Sequence, residues 1–427
     1  MAPAVEDLDV TSIAVGGDGV AREPSGRVVF VGGGLPGERV RAEIVEERRA
    51  HARALVTDVL VPSPDRVHPP CAFVAAGCGG CGWQHVDPAA QRRLKVDMVS
   101  DALEHLGGIV GAVVREGPAV PGTGYRTTVR AQVDPGGRLA LRRHHSHDLV
   151  AVPGCLVAHP AVVEVLDAGR FPPGAAVTVR VGARTGERLV VVDEQGRKRG
   201  TEARVEDADG GATAAPAAAG VDAGDVVVPA GTRVVTGAEL AAGRRAWLHE
   251  EVAGVRWRVS ARSFFQSGPE AAEALVEVVA AHAGEVTATT RFADLYGGIG
   301  LFGGTVGRSG RVELVEASPS AVADARVNLA AVDSRVVRRD VTRWRPRPMD
   351  VVIADPPRAG LGRAGVRVVA GTRAPRLVLV SCDAGALGRD AGLLARAGYD
   401  LVGATVVDVF PHTPHVEVVS RFDRRRR

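Results

Sequence analysis

Cys382 ends the run Leu377-Val-Leu-Val-Ser-Cys-Asp383, in which four apolar residues predict a buried strand and the spacing of Leu387, Leu393 and Leu394 predicts a helix after it. In open α/β sheets ligands bind outside the carboxyl ends of the strands, so a sulfur held there faces a ligand crevice. A thiolate at that point can add to an electron-poor carbon, although most free cysteines are only small buried hydrophobes. A second strand, Asp350-Val-Val-Ile-Ala, runs into Asp355-Pro-Pro-Arg-Ala-Gly360, where two prolines make a rigid floor without N–H donors and Asp355 supplies an acceptor. A third runs into Asp294-Leu-Tyr296-Gly-Gly298-Ile-Gly300-Leu-Phe302, whose glycines let backbone N–H groups approach a ligand at the start of a helix. Glu316 closes the next apolar run and is placed to accept from ribose hydroxyls, and Asp340 from an adenine amino group. Gly298, Gly300 and Gly303 also satisfy G-x-G-x-x-G, so a nicotinamide-dependent oxidoreductase is an alternative reading; it leaves Cys382 and Asp-Pro-Pro without a task.

A different chemistry is written near the N-terminal side. Cys71, Cys78 and Cys81 follow a C-x6-C-x2-C pattern on a Gly-rich stretch, with Cys155 as a distant fourth. Four thiolates suit a tetrahedral zinc ion or an iron–sulfur cluster equally, and spacing does not choose between them. Five cysteines in a chain of 427 residues argue against a disulfide scaffold.

Three regions must position these groups. Residues 1–66 carry short alternating runs (Val10–Val15, Arg27–Val31, Glu38–Val45, Ala54–Val61) separated by Gly-rich turns, which predicts a small β-barrel. Arg39, Arg41, Arg48, Arg49 and Arg53 recur on it, as on barrels that bind single-stranded nucleic acid. Residues 67–262 begin with a Pro-rich linker and a helix over 89–107, and then read as β-rich. An Ala-, Gly- and Asp-rich insertion at 193–224 is expected to be poorly ordered. From Ser267, read as a cap with Glu270 three residues on, strands and helices alternate through 263–427. The fold class expected is α/β: a C-terminal doubly wound, Rossmann-like domain, an N-terminal barrel and a central β-rich domain.

Net charge is +3 and no run approaches the length of a membrane span, so a cytoplasmic protein without a membrane partner is expected. Lysine occurs only at 95 and 198, and the arginines that replace it favour planar phosphate contacts.

Five motifs in order resemble one family. Phe265-Gln266, Asp294-Leu-Tyr-Gly-Gly-Ile-Gly300, Asp355-Pro-Pro-Arg-Ala-Gly360, Ser381-Cys382-Asp383 and Phe410-Pro-His-Thr-Pro-His-Val-Glu417 look like those of the bacterial S-adenosylmethionine-dependent RNA 5-methyluridine methyltransferases. The barrel, similar to a TRAM domain, and the four-cysteine set resemble the branch acting on 23S ribosomal RNA, which carries a 4Fe-4S cluster. The resemblance implies Cys382 as nucleophile and Glu417 as general base. It implies Gln266, Tyr296, Gly298, Gly300, Glu316, Asp340 and Asp355 at the cofactor, and Cys71, Cys78, Cys81 and Cys155 at the cluster, with zinc as the alternative metal. Ribosomal RNA is the expected partner, with tRNA as the alternative, and a monomer is expected. Leu301 and Gly268 stand where the family often has Asn, so one hydrogen bond there is made differently. The Asp-Pro-Pro neighbourhood lacks the second Cys of the 5-methylcytosine enzymes, which favours uracil. His412 and His415 are alternative bases, and Phe264, Phe265 or Tyr296 can stack on a base turned out of its helix. A further alternative is an RNA-binding protein whose catalytic domain is idle.

Overall fold

The computed structural model describes residues 4–144, 146–194 and 226–426; nearly all of the expected insertion, and the basic His145, lie outside the described residues. Six strands open the chain: β1 (Val5–Asp9), β2 (Ser12–Ile13), β3 (Gly19–Arg22), β4 (Val28–Gly32), β5 (Arg39–Glu47) and β6 (His51–Val61). They pair in the order β1-β5-β6-β4-β3-β2 around a core of Leu8, Val29, Val31, Val40, Ala42, Ala52 and Ala54. Val40, Ala42 and Ile44 alternate inward along β5, as the period of a strand requires. The expected strand over 10–15 is interrupted, because Val10 leaves β1 to exchange backbone bonds with Glu38 and Gly37.

Helix α1 (Pro88–His105) is capped by Asp87, whose side chain accepts from Ala89 N and Ala90 N. β7 (Val114–Glu116) follows, then β8 (Thr128–Val133), β9 (Leu139–Arg142), β10 (Leu149–Ala151), α2 (Pro160–Ala168), β11 (Ala176–Val181), β12 (Arg188–Asp193), β13 (Thr232–Thr236) and α3 (Gly237–Ala241). The second sheet runs β10-β9-β8-β11-β12-β13 and buries Val129, Ala131, Val177, Val179, Val190 and Val192 under α2. β9 stops at Arg142, because Arg143 turns to form a backbone bridge with Cys78. Helix α2 went unread in this β-rich stretch, although Pro160 at its first turn and His159 at its cap are ordinary start signals.

A hairpin of β14 (Trp247–Val252) and β15 (Val255–Ser260) leads into the C-terminal sheet. There α4 (Pro269–Ala283), β16 (Arg291–Leu295), α5 (Leu301–Gly304), β17 (Arg311–Glu316), α6 (Pro319–Asn328), β18 (Ser334–Arg338), β19 (Val351–Ala354), α7 (Gly362–Thr372), β20 (Arg376–Ser381), α8 (Ala384–Arg396), β21 (Tyr399–Val407) and β22 (Glu417–Arg424) follow in turn. The strand order is β18-β17-β16-β19-β20-β22-β21-β7. The first five are parallel, β22 is antiparallel to both of its neighbours, and β7 joins from the central segment, parallel to β21. Order reverses between β16 and β19, which makes the crevice at their carboxyl ends the switch point of a doubly wound sheet.

Each central strand buries both faces. Leu377 and Leu379 pack with α1, α7 and α8, and Val378 and Val380 pack with α4 and the hairpin. Ile13 and Leu35 of the first sheet, with Trp83 and Val86 of the cysteine-bearing stretch, belong to the same core as Leu379, Val416 and Val418. Ser267 is not the cap of α4. Gly268 takes that place without a side-chain bond, because the Ser267 hydroxyl donates to Val409 O at 2.7 Å, drawn away by the chain before β22.

Candidate active site

The register of β20 against β22 ends with Ser381 paired to Val418, so Cys382 and Glu417 are the next residues on either side, and Glu417 is the first charge that acts on the thiol. Asp383 caps α8 through its carboxylate and Ala386 N (2.8 Å), and its other oxygen meets Arg358 Nε at 3.4 Å. Cys382 is therefore fixed between a strand end and a helix start. On the neighbouring strand ends, Ala354 pairs with both Leu295 and Leu379. This sets Asp355 beside Tyr296 on one side and beside Val380, just before the Ser381–Cys382 turn, on the other. Cys382, Asp355, Tyr296, Glu316 and Glu417 thus converge on one crevice at the carboxyl edge of the sheet.

The crevice is dominated by buried acids. Asp294 is 0% exposed, and one of its oxygens accepts from Gly303 N at 2.8 Å while Oδ1 has no partner. Burial pushes its carboxyl up to about 7, against the Gly303 hydrogen bond, and Glu316 adds to the rise. Asp355 is likewise pushed up to about 7 by burial and by the charges of Asp294 and Glu316. Glu417, 6% exposed, is held well above the usual carboxylate range by burial and then by Asp355. This is the arrangement in which carboxyl groups exchange protons near neutral pH.

The Cys382 thiol is pushed up to about 11 by burial, then by Glu417 and Asp355, and is partly relieved by Arg358. At neutral pH the resting thiol is then largely protonated. Selective alkylation of Cys382, followed by peptide mass spectrometry, is expected to be slow at pH 7 and to climb towards pH 11. Because the Glu417 charge opposes ionisation, Glu417→Gln is expected to move that rise to lower pH. An unmoved curve would separate the two groups.

The glycine loop is built to face a ligand. Gly298 has φ +54° and a Cβ added there would meet nothing within 4 Å, so the backbone is bare on its open side. Glu316 accepts from Gly298 N (3.1 Å) and Ser318 N (2.6 Å), which ties the loop to the end of β17. Tyr296 holds a left-handed φ of +59° and its phenol is pushed up to about 12 by burial, then by Asp340 and Asp390. Asp340 caps the next turn through Thr342 N (2.7 Å) and Thr342 Oγ1 (2.6 Å). Gln266 is buried, whereas Phe264 is 70% exposed and Phe265 is partly buried against the core.

The structure separates the two candidate histidines from one another. His412 N donates to Gln91 Oε1 (2.7 Å), His412 Nδ1 lies 3.4 Å from Gln91 Nε2, and the Gly122 backbone hydrogen-bonds its ring. His415 packs edge-on against Phe410 at 6.0 Å, and burial lowers its basicity. Neither is as close to the thiol electrostatically as Glu417, the first charged group that acts on it.

Cys71, Cys78, Cys81 and Cys155 are all free and part-exposed. Burial raises Cys78 and pushes Cys81 up to about 11, and the other thiols add to both, Cys155 foremost among them, so the four share one neighbourhood beside Arg126. Among the described residues no three His, Cys, Asp or Glu side chains stand close enough to hold a single metal ion.

Three contributors escaped the sequence reading. Asp294 was quoted in its motif but given no role; an acid heading a glycine loop was the signal. Gln91 and Lys95 lie four residues apart on the buried face of α1, beside Leu94 and Met98. Two polar residues at helical spacing on an apolar face mark a buried polar contact.

Comparison with known proteins decides the family. Residues 4–57 match the TRAM domain family. An uncharacterised RNA methyltransferase of Streptomyces coelicolor is 36% identical, with 97% of this chain and 92% of the relative covered. The chain belongs to this RNA methyltransferase family. A second RNA methyltransferase, from Streptomyces avermitilis, is 34% identical over 97% of both chains, and one from Corynebacterium efficiens is 31% identical over 98% of this chain and 94% of its own. Among solved structures, the Pyrococcus abyssi tRNA (uracil-54, C5)-methyltransferase, in complex with S-adenosyl-L-homocysteine, superposes with a TM-score of 0.70. It covers 97% of this chain and 99% of that one at 21% identity, a likeness of fold. Among the described residues of the methyltransferase no helix is long and apolar enough to cross a membrane.

Proposed function

We propose that this methyltransferase transfers a methyl group from S-adenosylmethionine to carbon 5 of a uridine in RNA, through a covalent bond between Cys382 and carbon 6. The observation that carries the reading is the placement of Cys382 and Glu417 just beyond the last β20–β22 pair, beside Asp355, at the carboxyl edge of the sheet. Carbon 5 of uracil is a weak nucleophile. Addition of the Cys382 thiolate to carbon 6 pushes the ring electrons into an enolate and makes carbon 5 nucleophilic. S-adenosylmethionine, when bound, supplies an electrophilic methyl group to that carbon. Glu417 then takes the carbon 5 proton, the C–H electrons restore the double bond, and the pair of the carbon–sulfur bond leaves with Cys382.

Several residues support the cofactor assignment. The bare backbone at Gly298 and the acids Glu316, Asp340 and Asp355 suit a ligand rich in hydroxyl, amino and adenine groups; Gly300, packed against Leu329, shapes the loop, and Tyr296 and the buried Gln266 are assigned to the same ligand. The buried Oδ1 of Asp294, which has no partner, suits a cationic group. The exposed Phe264 offers a stacking face for a base turned out of its helix.

Ribosomal RNA is the substrate favoured by the cysteine set together with the barrel; tRNA is the alternative, to which the Pyrococcus relative's name points. Among the barrel arginines, Arg41, Arg48 and Arg53 are paired with Asp7, Glu46 and Asp18, which leaves Arg39 and Arg49 for phosphate contacts. The cysteines would hold a 4Fe-4S cluster. Anaerobically purified protein is then expected to contain iron and acid-labile sulfide, with Cys78→Ser lacking both; one zinc per chain and no iron would overturn the cluster.

The activity itself is tested by incubating the enzyme with total RNA and methyl-labelled S-adenosylmethionine, then digesting to nucleosides. Label in 5-methyluridine is expected. Label in 5-methylcytidine or in a 2′-O-methyl nucleoside would overturn the assignment.

A further inference from the structure

The residues between β21 and β22 deliver Glu417, and they are held by parts of the chain far away in sequence. His412 sits in the left-handed region at φ +65°, a strained conformation for a non-glycine residue that persists only where its surroundings impose it. Those surroundings are specific. Gln91 Oε1 accepts from His412 N (2.7 Å), and Gln91 Nε2 donates to Trp83 O (3.2 Å) and Val86 O (2.9 Å). Trp83 N donates to His412 O at 2.8 Å, and Trp83 Nε1 donates to Gly17 O of the barrel at 3.1 Å. One turn along α1, the fully buried Lys95 donates to Asp408 Oδ1 (2.6 Å) and Phe410 O (3.2 Å). Both backbone groups of His412 are thereby fixed, five residues before Glu417. Gly17 lies so close to Pro414 that a Cβ there would stand 2.3 Å from the proline ring.

We propose that Gln91 and Trp83 are positioning residues for Glu417, which clamp His412 in its left-handed conformation and so set the base against the carbon 5 proton. Trp83 follows Cys81 by two residues and touches the barrel, so the cysteine-bearing loop and the barrel both bear on the proton-removal step rather than on RNA binding alone. The inference rests on Glu417 being the base, as proposed above. The step at issue is the last one: the carbon 5 proton passes to the Glu417 carboxylate, its bonding pair forms the ring double bond, and the sulfur leaves carbon 6 with its own pair. A base displaced by about 1 Å slows such a transfer about a hundredfold while addition and methyl transfer continue.

The test compares wild type, Glu417→Gln, Gln91→Leu and Gln91→Leu/His412→Gly, each incubated with substrate RNA and methyl-labelled S-adenosylmethionine and run on denaturing gels. Gln91→Leu is expected to lower turnover about a hundredfold, to leave KM for RNA unchanged and to accumulate a labelled protein–RNA adduct. In the double variant glycine takes the left-handed conformation without cost, so the adduct is expected to fall and turnover to recover at least in part. If Gln91→Leu fails to fold, Gln91→Asn, which keeps the amide but withdraws it by one methylene, is expected to give a smaller adduct. Adduct with Glu417→Gln but none with a folded Gln91 variant would overturn the positioning role alone. No adduct with Glu417→Gln would overturn the base assignment beneath it.

Discussion

Cys382→Ala is expected to abolish methylation, with turnover down by 10⁴-fold or more, as is usual when a covalent nucleophile is removed from a residue set that works as a unit (on the order of 10³–10⁶). Binding is expected to persist. Cys382 is only one side chain at the mouth of the crevice, whereas the cofactor loop is held by Glu316 through Gly298 N and Ser318 N, and α8 is still capped by Asp383. Filter binding with RNA and calorimetry with S-adenosylmethionine check this, and both should match wild type within a few-fold. Residual methylation of carbon 5 by the alanine variant would remove the covalent step from the mechanism. Loss of folding, read by a melting curve, is not expected, because the thiol bonds only its own backbone while Asp383 holds the β20–α8 turn.

Glu417→Gln is expected to do something qualitatively different. The amide keeps the shape of the side chain and the register of β22 but cannot take the carbon 5 proton. Thiolate addition and methyl transfer should proceed and elimination should stall, so that a protein–RNA adduct accumulates and survives denaturing electrophoresis. Two details follow from the electrostatics. The Glu417 carboxyl is held well above its ordinary range by burial and Asp355, so wild-type elimination should need a pH at which that proton has been shed and should slow as pH falls. Once the pH is high enough for Glu417 to be ionised, the variant removes a negative charge beside Cys382, so addition in Glu417→Gln should there be at least as fast as in wild type. A variant that is inactive without adduct would assign Glu417 to binding. A fully active one would pass the proton to His412, His415 or water.

What could be read in the sequence was what the backbone fixes locally. Leu377–Val380, Arg291–Leu295 and Val351–Ala354 are apolar runs that end at glycine, proline or a cap residue, and a parallel sheet buried on both faces demands such runs. Their carboxyl ends carry Tyr296, Asp355 and Cys382, so the crevice was legible before any coordinates. Contacts distant in sequence were not. β7 is three residues with no pattern of its own, made a strand only by Ala404–Val406. Ser267 had the signature of a cap, yet its hydroxyl bonds Val409 O, 142 positions away, and tertiary context overrode the local preference. The hold of Gln91 on His412 spans 321 positions. The spacing of the cysteines points to metal chemistry but not to which centre, because that depends on distances between loops that meet only in the fold.

The central claim is that one sulfur and one carboxyl act on the two neighbouring carbons of a single uracil. It is tested most directly by digesting the Glu417→Gln adduct with ribonuclease and protease and sequencing the modified peptide by mass spectrometry. The account predicts a peptide carrying a methylated uridine nucleotide on Cys382, seen only when S-adenosylmethionine was present and absent from Cys382→Ala/Glu417→Gln. A nucleotide attached to any other cysteine, or a Cys382 adduct that never carries the methyl group, would contradict it.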